Sequence, residues 1–388
     1  MTTDGPLYLD HAATAPVRRE VLEAMWPYLT GEFGNPSSHH EVGEAAARAL
    51  QSARDEVAEL LRCRPGEVIF TSGGTEADNL AIKGIALGNP RGRHLVTTAI
   101  EHPAVLESAS YLARRHGFEV TLVGVDRFGT VRPADVATAL RADTSLVSVM
   151  TANNEVGTVQ PISEIAALAR DRGIPSHTDA VQAAGWLDVS LPVLGVDAIS
   201  LAGHKLGAPK GTGVLAVRGS LPLEPLLHGG GQERGKRSGT ENVAGAVGFA
   251  TALRLSEQDR LRHTAAVSAI RDSFSARVLE LVPGARLTGH PEHRLPGTAS
   301  FVFPGTSGEA VLLELEGRGI VCSSGSACAA GSDDASPVLL AMGVPAEVAQ
   351  TAVRFSFDAS AAPDRLLAAA DAVRDAVGAV QQLAEAGF

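Results

Sequence analysis

From Val68 to Val217 short apolar, β-rich runs alternate with stretches of helical texture rich in Ala, Leu and Arg. Val68–Thr71, His94–Thr98, Glu119–Val123, Leu146–Thr151 and Ile174–His177 read as strands. Between them Glu76–Ala86, Ala104–Arg115, Ala134–Leu140 and Ile162–Asp171 read as helices. Such alternation has few three-dimensional solutions. It predicts an α/β fold in which a mostly parallel sheet is covered by helices on both faces. Pro192–Val217 adds two more strands. After Thr240 the texture changes. Asn242–Arg271 reads as one long helix, followed by a strand at Ala299–Phe303, a helix near Gly308–Arg318, a strand at Ile320–Cys322, a Gly/Ser/Ala loop and further helices. The pattern predicts a large domain over residues 15–255 and a smaller α+β domain over 1–14 and 256–388, with a first strand near Leu7–Asp10 returning to the latter.

The 388 residues suffice for two or three domains and a large core. Hydrophobic residues at 45 % and charged residues at 20 % are those of a soluble globular protein. A net charge of −11 argues against a nucleic-acid-binding surface. No apolar run approaches the ~18–20 residues of a membrane span. Met1–Pro6 has neither a basic n-region nor an apolar h-region, so no secretory leader is expected there. Three cysteines are too few for a disulfide framework, and a reduced, cytoplasmic protein with a working thiol is expected.

Two polar residues leave the ends of predicted buried strands. Lys205 closes Ser200-Leu201-Ala202-Gly203-His204-Lys205, and Asp179 lies in Ser176-His177-Thr178-Asp179-Ala180-Val181-Gln182. Alone, Lys205 is one solvated lysine among many. Paired with a strand-end aspartate it suits pyridoxal 5′-phosphate (PLP), which needs an amine for its Schiff base and a carboxylate to keep its ring nitrogen protonated.

Other motifs gather around this pair. Thr71-Ser72-Gly73-Gly74-Thr75-Glu76 places two glycines between a strand and a helix, either to bind phosphate on bare N–H groups or to make a tight turn capped by Thr75. It matches neither G-x-x-x-x-G-K-[ST] nor G-x-G-x-x-G, which weakens nucleotide readings. His102, in Glu101-His102-Pro103, can stack on a cofactor ring and move protons, or be structural. The amides of Asn153-Asn154 can bond a ring oxygen or shape a turn, and Gln182 can reach the same oxygen. His228–Thr240 is polar, basic and Gly-rich and cannot be a core element. It reaches a phosphate, across a subunit boundary, or forms a surface loop. Arg354, in Ala352-Val353-Arg354-Phe355-Ser356, can grip a substrate carboxylate or make a structural ion pair. Cys328 sits in Ser323-Ser324-Gly325-Ser326-Ala327-Cys328-Ala329-Ala330-Gly331, where small neighbours cannot bury it. That suits an exposed nucleophilic thiol. Cys322 reads as a buried strand-end residue and Cys63 as incidental. The C-x₅-C spacing fits neither a zinc pair nor a C-x-x-C redox pair.

In order along the chain, Thr-Ser-Gly-Gly-Thr-Glu, Asn-Asn-Glu-Val-Gly, Gly-His-Lys, Arg-Ser-Gly-Thr and Ser-Ser-Gly-Ser-Ala-Cys, with Tyr8-Leu9-Asp10-His11-Ala12-Ala13-Thr14 and Gly34-Asn35-Pro36-Ser37-Ser38, form a specific set. The chain resembles the cysteine desulfurases of the NifS/IscS-like kind, in the class V aminotransferase family of fold-type I PLP enzymes. The resemblance implies that Lys205 anchors the cofactor and shuttles the Cα proton. Asp179 would pair with the ring nitrogen, Gln182 and Asn154 would contact the ring hydroxyl, and His102 would stack on the ring. Gly74, Thr75 and His204 would bind the phosphate, with Thr240 supplied by the partner subunit of a homodimer. Arg354 and Asn35 would hold the carboxylate of L-cysteine. Cys328 would take the sulfur as a persulfide, release alanine and pass the sulfur to an acceptor protein, an iron–sulfur scaffold or a thiolation enzyme. No metal is implied. Ala202 stands where many members carry a phosphate-binding serine, Phe357-Asp358 where Leu-Gly is usual, and Ala329-Ala330 where more polar residues follow the cysteine. Alternatives are another PLP-dependent C–S or C–Se lyase, or a silent sulfur-transfer scaffold.

Overall fold

The computed structural model describes residues 5–88, 91–325 and 335–385. A short strand β1 (Leu7–Tyr8) precedes the main sheet. That sheet contains β2 (Val68–Thr71), β3 (His94–Thr98), β4 (Glu119–Val123), β5 (Thr144–Ser148), β6 (Ser176–Asp179), β7 (Ala198–Ala202) and β8 (Gly213–Val217), in the order β2-β8-β7-β6-β5-β3-β4. β7-β6-β5-β3-β4 run parallel, because each connection is a crossover long enough to return the chain to its starting edge. β7 and β8 are joined only by the short stretch 203–212, which forces β8 antiparallel to β7, and it is antiparallel to β2 as well. The expected mostly parallel α/β sheet is therefore present, with β8 its one reversed member.

Helices Gly74–Gly88 and Pro103–His116 pack on one face around Leu80, Ile82, Ile85, Val105 and Leu112. Helices Glu41–Leu61 and Ile162–Asp171 contribute Leu50, Val57, Ile162 and Ile165 to a second apolar cluster. Two strands are shifted from their sequence expectation. β5 begins at Thr144, since Thr144 and Ser145 are buried once their hydroxyls meet His94 Nδ1 (2.8 Å) and the Gly92 carbonyl (2.5 Å). β6 runs to Asp179 and so carries a buried carboxylate that an apolar-run criterion excludes.

The long helix spans Val243–Leu281, ten residues past its expected end. It starts where Asn242 Oδ1 accepts the Gly245 N–H (2.9 Å). Its first half adds Phe249 and Leu253 to the core beneath the main sheet, and its second half adds Val267, Phe274 and Val278 to another core. That second core is built on β12 (Ala352–Ser356), β10 (Thr298–Val302) and β9 (Arg286–Leu287), an antiparallel sheet in that order, beside the parallel pair β1 and β11 (Ile320–Val321). Phe274, Phe301 and Phe355 meet edge-on, at 5.2 Å between the rings of Phe274 and Phe355. Phe357 is fully buried there and Asp358 Oδ2 lies 3.5 Å from His11 Nε2. No helix among the described residues is long and apolar enough to cross a membrane.

The polar segment 228–240 departs from expectation. Glu233 within it is 4 % exposed and accepts both Nη1 and Nη2 of buried Arg54 at 2.8 Å, and Arg237 pairs with Glu76 (2.8 Å). Glu233 and Arg234 both adopt positive φ (48° and 59°), a conformation that non-glycine residues hold only when their surroundings fix it. The segment looks solvated in sequence because its burial depends on a partner in a distant helix.

Candidate active site

Asp179 is the last residue of β6, and Lys205 ends the turn after β7. Since β6 and β7 are neighbours in register (Asp179 opposite Ser200), both side chains leave the same sheet edge. Gly203 lets that turn form: a Cβ there would lie 2.2 Å from Thr212 Oγ1. Lys205 Nζ donates to the carbonyl of Ala13 (2.5 Å) and to that of Ala12. The Ala12 carbonyl also accepts from Gln182 Nε2 (3.0 Å). Asp179 Oδ1 accepts the Val181 N–H (2.9 Å). Burial raises its pKa, opposed by that hydrogen bond and by His102 and Lys205.

Helix Gly74–Gly88 points its N-terminus at this pair. A Cβ on Gly74 would lie 2.9 Å from Val181 Cγ2 and 3.2 Å from Ala202 Cβ, so glycine allows the helix start to seat on the strand ends. The unpaired N–H groups of that first turn, beside Thr75, suit an anion. His204, its Nδ1 3.2 Å from Thr14 Oγ1, is pushed down to about 4 by burial and then by Lys205 and Lys210, so it is neutral near pH 7. His102 caps helix Pro103–His116, its Nδ1 accepting the Ala104 N–H (3.1 Å), which assigns the neutral ring's proton to Nε2. Burial lowers its pKa too; Asp179 opposes the shift and Lys205 adds to it.

Arg354 reaches the same place from β12. Its Nη1 donates to the carbonyls of Asn154 (2.8 Å) and Gly325 (3.3 Å), and its Nη2 to Asp10 Oδ1 (2.7 Å). Its buried Nε has no partner. The structural ion pair of the sequence reading is present, and one donor of the guanidinium remains unspent. Of the two asparagines, Asn153 shapes the turn by accepting the N–H groups of Glu155 and Val156 (both 2.9 Å), and Asn154 lines the site.

A cavity of about 340 Å³ collects Gly74, Thr75, His102, Asn154, Asp179, Gln182, His204, Lys205 and Arg354, together with Ala202. Two expected residues stand apart from it. Asn35 is exposed in a loop where its Oδ1 accepts the Ser37 N–H (2.9 Å), and Thr240 is exposed beside a different cavity lined by Thr71, Ser72 and Arg237. Cys328 and Ala329-Ala330 lie outside the described residues. Burial pushes the Cys63 thiol up to about 11 and the Cys322 thiol up to about 12, so neither offers a thiolate near pH 7. The sequence reading passed over Asp10, Glu101 and Asp78. Asp78 is the most telling: a carboxyl on the apolar face of a helix, between Ala77 and Leu80, is a polar residue placed where a core residue belongs.

The donor set fits PLP: a lysine amine, a buried carboxylate one strand away, a helix N-terminus for phosphate, and a partly unspent guanidinium for a carboxylate.

The aminotransferase class-V family model matches residues 7–364. A cysteine desulfurase IscS of Methanosarcina thermophila is 45 % identical over 356 residues, covering 92 % of this chain and 88 % of that protein. Among solved structures, a NifS-like protein matches with a TM-score of 0.89 at 36 % identity, covering 96 % of this chain and 99 % of that one. SspA in complex with cysteine matches with a TM-score of 0.80 at 36 % identity, covering 91 % and 99 %.

Proposed function

The chain belongs to the aminotransferase class-V family as a cysteine desulfurase of the IscS/NifS kind, and we propose that it uses PLP to convert L-cysteine to L-alanine, holds the sulfur on Cys328 and passes it to an acceptor protein. The observation that carries this assignment is the convergence on one cavity of Asp179 from β6, Lys205 from the turn after β7 and Arg354 from β12. Bound there, PLP supplies an electron sink that acidifies the substrate Cα–H bond. Lys205 anchors the cofactor and moves the Cα proton. Asp179 keeps the ring nitrogen protonated, and the low-dielectric site strengthens that contact. His102 would stack on the ring, Gln182 and Asn154 would bond its hydroxyl, and Gly74, Thr75 and His204 would hold the phosphate, all of them lining the one cavity. Arg354, with Asn35, orients the substrate carboxylate.

Cys328 attacks the substrate sulfur as a thiolate. A Cys328 Sγ–S bond forms, the C–S bond breaks, and its electron pair stays with the carbon that is protonated to alanine's methyl group. A free thiol of pKa ~8.5 is only a few per cent ionised near pH 7, so a neighbouring base is needed. We assign that role to His102, neutral by burial, whose Nδ1 would give up the Ala104 N–H to take the thiol proton. The raised pKa values of Cys63 and Cys322 support Cys328 as the nucleophile.

We take residues 15–255 as the cofactor-binding unit and 1–14 with 256–388 as the unit bearing Arg354 and Cys328. We also take the enzyme as a cytoplasmic homodimer. Thr240 and Asn35 stand apart from the cavity of their own chain, and Leu22, Trp26 and Leu29 of helix Arg19–Thr30 are exposed, which supports a second chain completing the site. The acceptor, an iron–sulfur scaffold or a thiolation enzyme, is a protein docking near Cys328.

The test is the visible absorbance of the purified protein with PLP, followed by assay of sulfide and alanine from L-cysteine and a thiol reductant. Both products are expected, and both are lost in Cys328→Ala while the band remains. A band without either product moves the enzyme to another substrate. Failure to take up PLP overturns the role of Lys205.

A further inference from the structure

Three carboxyls are buried behind the proposed cofactor ring. Asp78, Glu101 and Asp179 are 1 %, 4 % and 6 % exposed, and three adjacent negative charges cannot coexist there without matching cations. Around Asp78 stand His177 and Asp179 from β6, Ser200 from β7 and Glu101 from the connection after β3, and His102 and Lys205 line the same cavity. His177 Nε2 lies 3.8 Å from Asp78 Oδ1 but is not its cation. The imidazole is held between the hydroxyls of Ser148 and Ser200, each at 2.9 Å, and burial drives it down to about 3. Lys205 and His102 act on Asp179 instead. Glu101 Oε1 accepts from Thr98 Oγ1 (2.6 Å) and the Met150 N–H (3.0 Å), its Oε2 has no partner, and burial pushes it up to about 8, so it too is neutral near pH 7.

Asp78 remains. Its Oδ1 is buried, without a partner, and the residue lines the same cavity as Asp179. We propose that Asp78 is a positioning residue of this site, a neutral carboxylic acid that donates its proton toward Asp179, so that the negative charge of the cluster rests on the carboxyl facing the cofactor ring nitrogen. Burial and then the Asp179 charge raise its pKa well above the carboxylate range, against the opposing pull of the Ser200 hydroxyl. A carboxylic acid has the O–H donor that a carboxylate lacks, and helix Gly74–Gly88, whose start faces the phosphate, carries it. The phosphate and ring-nitrogen ends of the site are thus held by one rigid element.

The inference rests on the reading that this cavity binds PLP, and the test separates the two. Wild type, Asp78→Asn and Asp78→Leu are prepared with PLP, with Asp78→Ala in reserve should the leucine variant not fold. The visible band is titrated against pH and the PLP dissociation constant measured by dialysis. Asparagine reproduces a neutral donor, so the apparent pKa of the band stays within about 0.3 unit and the dissociation constant within about threefold of wild type. Leucine or alanine removes the donor, and PLP binds about 10- to 100-fold more weakly. A fall of about one unit or more in the band pKa of Asp78→Asn would mean that a buried negative charge had been removed, which overturns the neutral assignment. Unchanged PLP affinity in the leucine or alanine variant overturns the positioning role. A wild type that takes up no PLP overturns the functional reading itself, and the inference falls with it.

Discussion

Two buried arginines, Arg54 and Arg354, show how one side chain serves two ends. Arg54 spends itself on the protein. Its two Nη atoms fork onto both oxygens of Glu233 at 2.8 Å, and Nη1 also reaches the Val68 carbonyl at 2.7 Å. Arg354 is as deeply buried but makes a single contact to a carboxylate, Asp10, takes two backbone carbonyls, and leaves Nε unmatched. The first geometry fastens segment 228–240 to helix Glu41–Leu61; the second leaves a buried donor unspent beside the cavity. An unmatched donor alone does not mark a binding site, since Arg294 leaves Nε and Nη1 unpaired and does not line the cavity. Arg354 combines an unmatched donor with a place in that cavity's lining, which supports the role proposed for it.

The largest effect that would sharpen this contrast is in stability. Arg54→Met strands the Glu233 carboxylate in the core and is expected to cost about 3–5 kcal/mol, whereas Arg54→Met with Glu233→Leu recovers most of that loss. Chemical denaturation checks both, and a double variant as unstable as the single one breaks the account of Arg54 as half of a compensated pair. Next in size, Arg354→Lys loses the planar fork. kcat/KM for L-cysteine is expected to fall about 100-fold, near 3 kcal/mol, while the cofactor band persists. A loss of the band instead would make Arg354 a fastener like Arg54. A smaller change follows from Asp10→Asn, which loosens the guanidinium without removing it. KM is expected to rise about tenfold with kcat nearly unchanged, the pattern of lost uniform binding. A selective fall in kcat would place Asp10 in the chemistry.

A further effect, in pH dependence, concerns a buried carboxyl with no arginine at all. Glu101 has a folded pKa raised to about 8. Its contribution to stability is therefore complete below the ordinary glutamate value of ~4.3 and is lost as pH rises toward 8. Glu101→Gln should flatten melting temperature against pH over that window and melt higher than wild type at its upper end. Parallel curves would show that Glu101 is ionised in the fold.

The parts of the site legible in sequence are those that local pattern places. Strand–helix alternation fixes where strands end, and Asp179 and Lys205 sit at such ends. A Gly pair before a helix marks Gly74 and Thr75. Arg54–Glu233 was not legible, because the partners are 179 residues apart and Glu233 lies in a segment whose composition is that of a solvated loop. Asp78 was hidden by the same periodicity that identified its helix, since one acid among Ala, Leu and Ile does not disturb an apolar face. Thr240 and Asn35 stand apart from the cavity of their own chain, and local pattern, which reads neighbours along one chain, gives no distance between such loops and the strand ends.

The ion pair between Asp10 and Arg354 joins residues 344 apart, and β1 pairs with β11 nearby. At ordinary rates of synthesis the ribosome needs roughly 20–70 s to travel that distance. For that interval β1 and Asp10 have no seat, and the Asp10–Arg354 contact does not yet exist. The main sheet, complete by Val217, can fold earlier. A ribosome that stalls before codon 354 would leave a body with Lys205 and Asp179 in place and no Arg354 beside them.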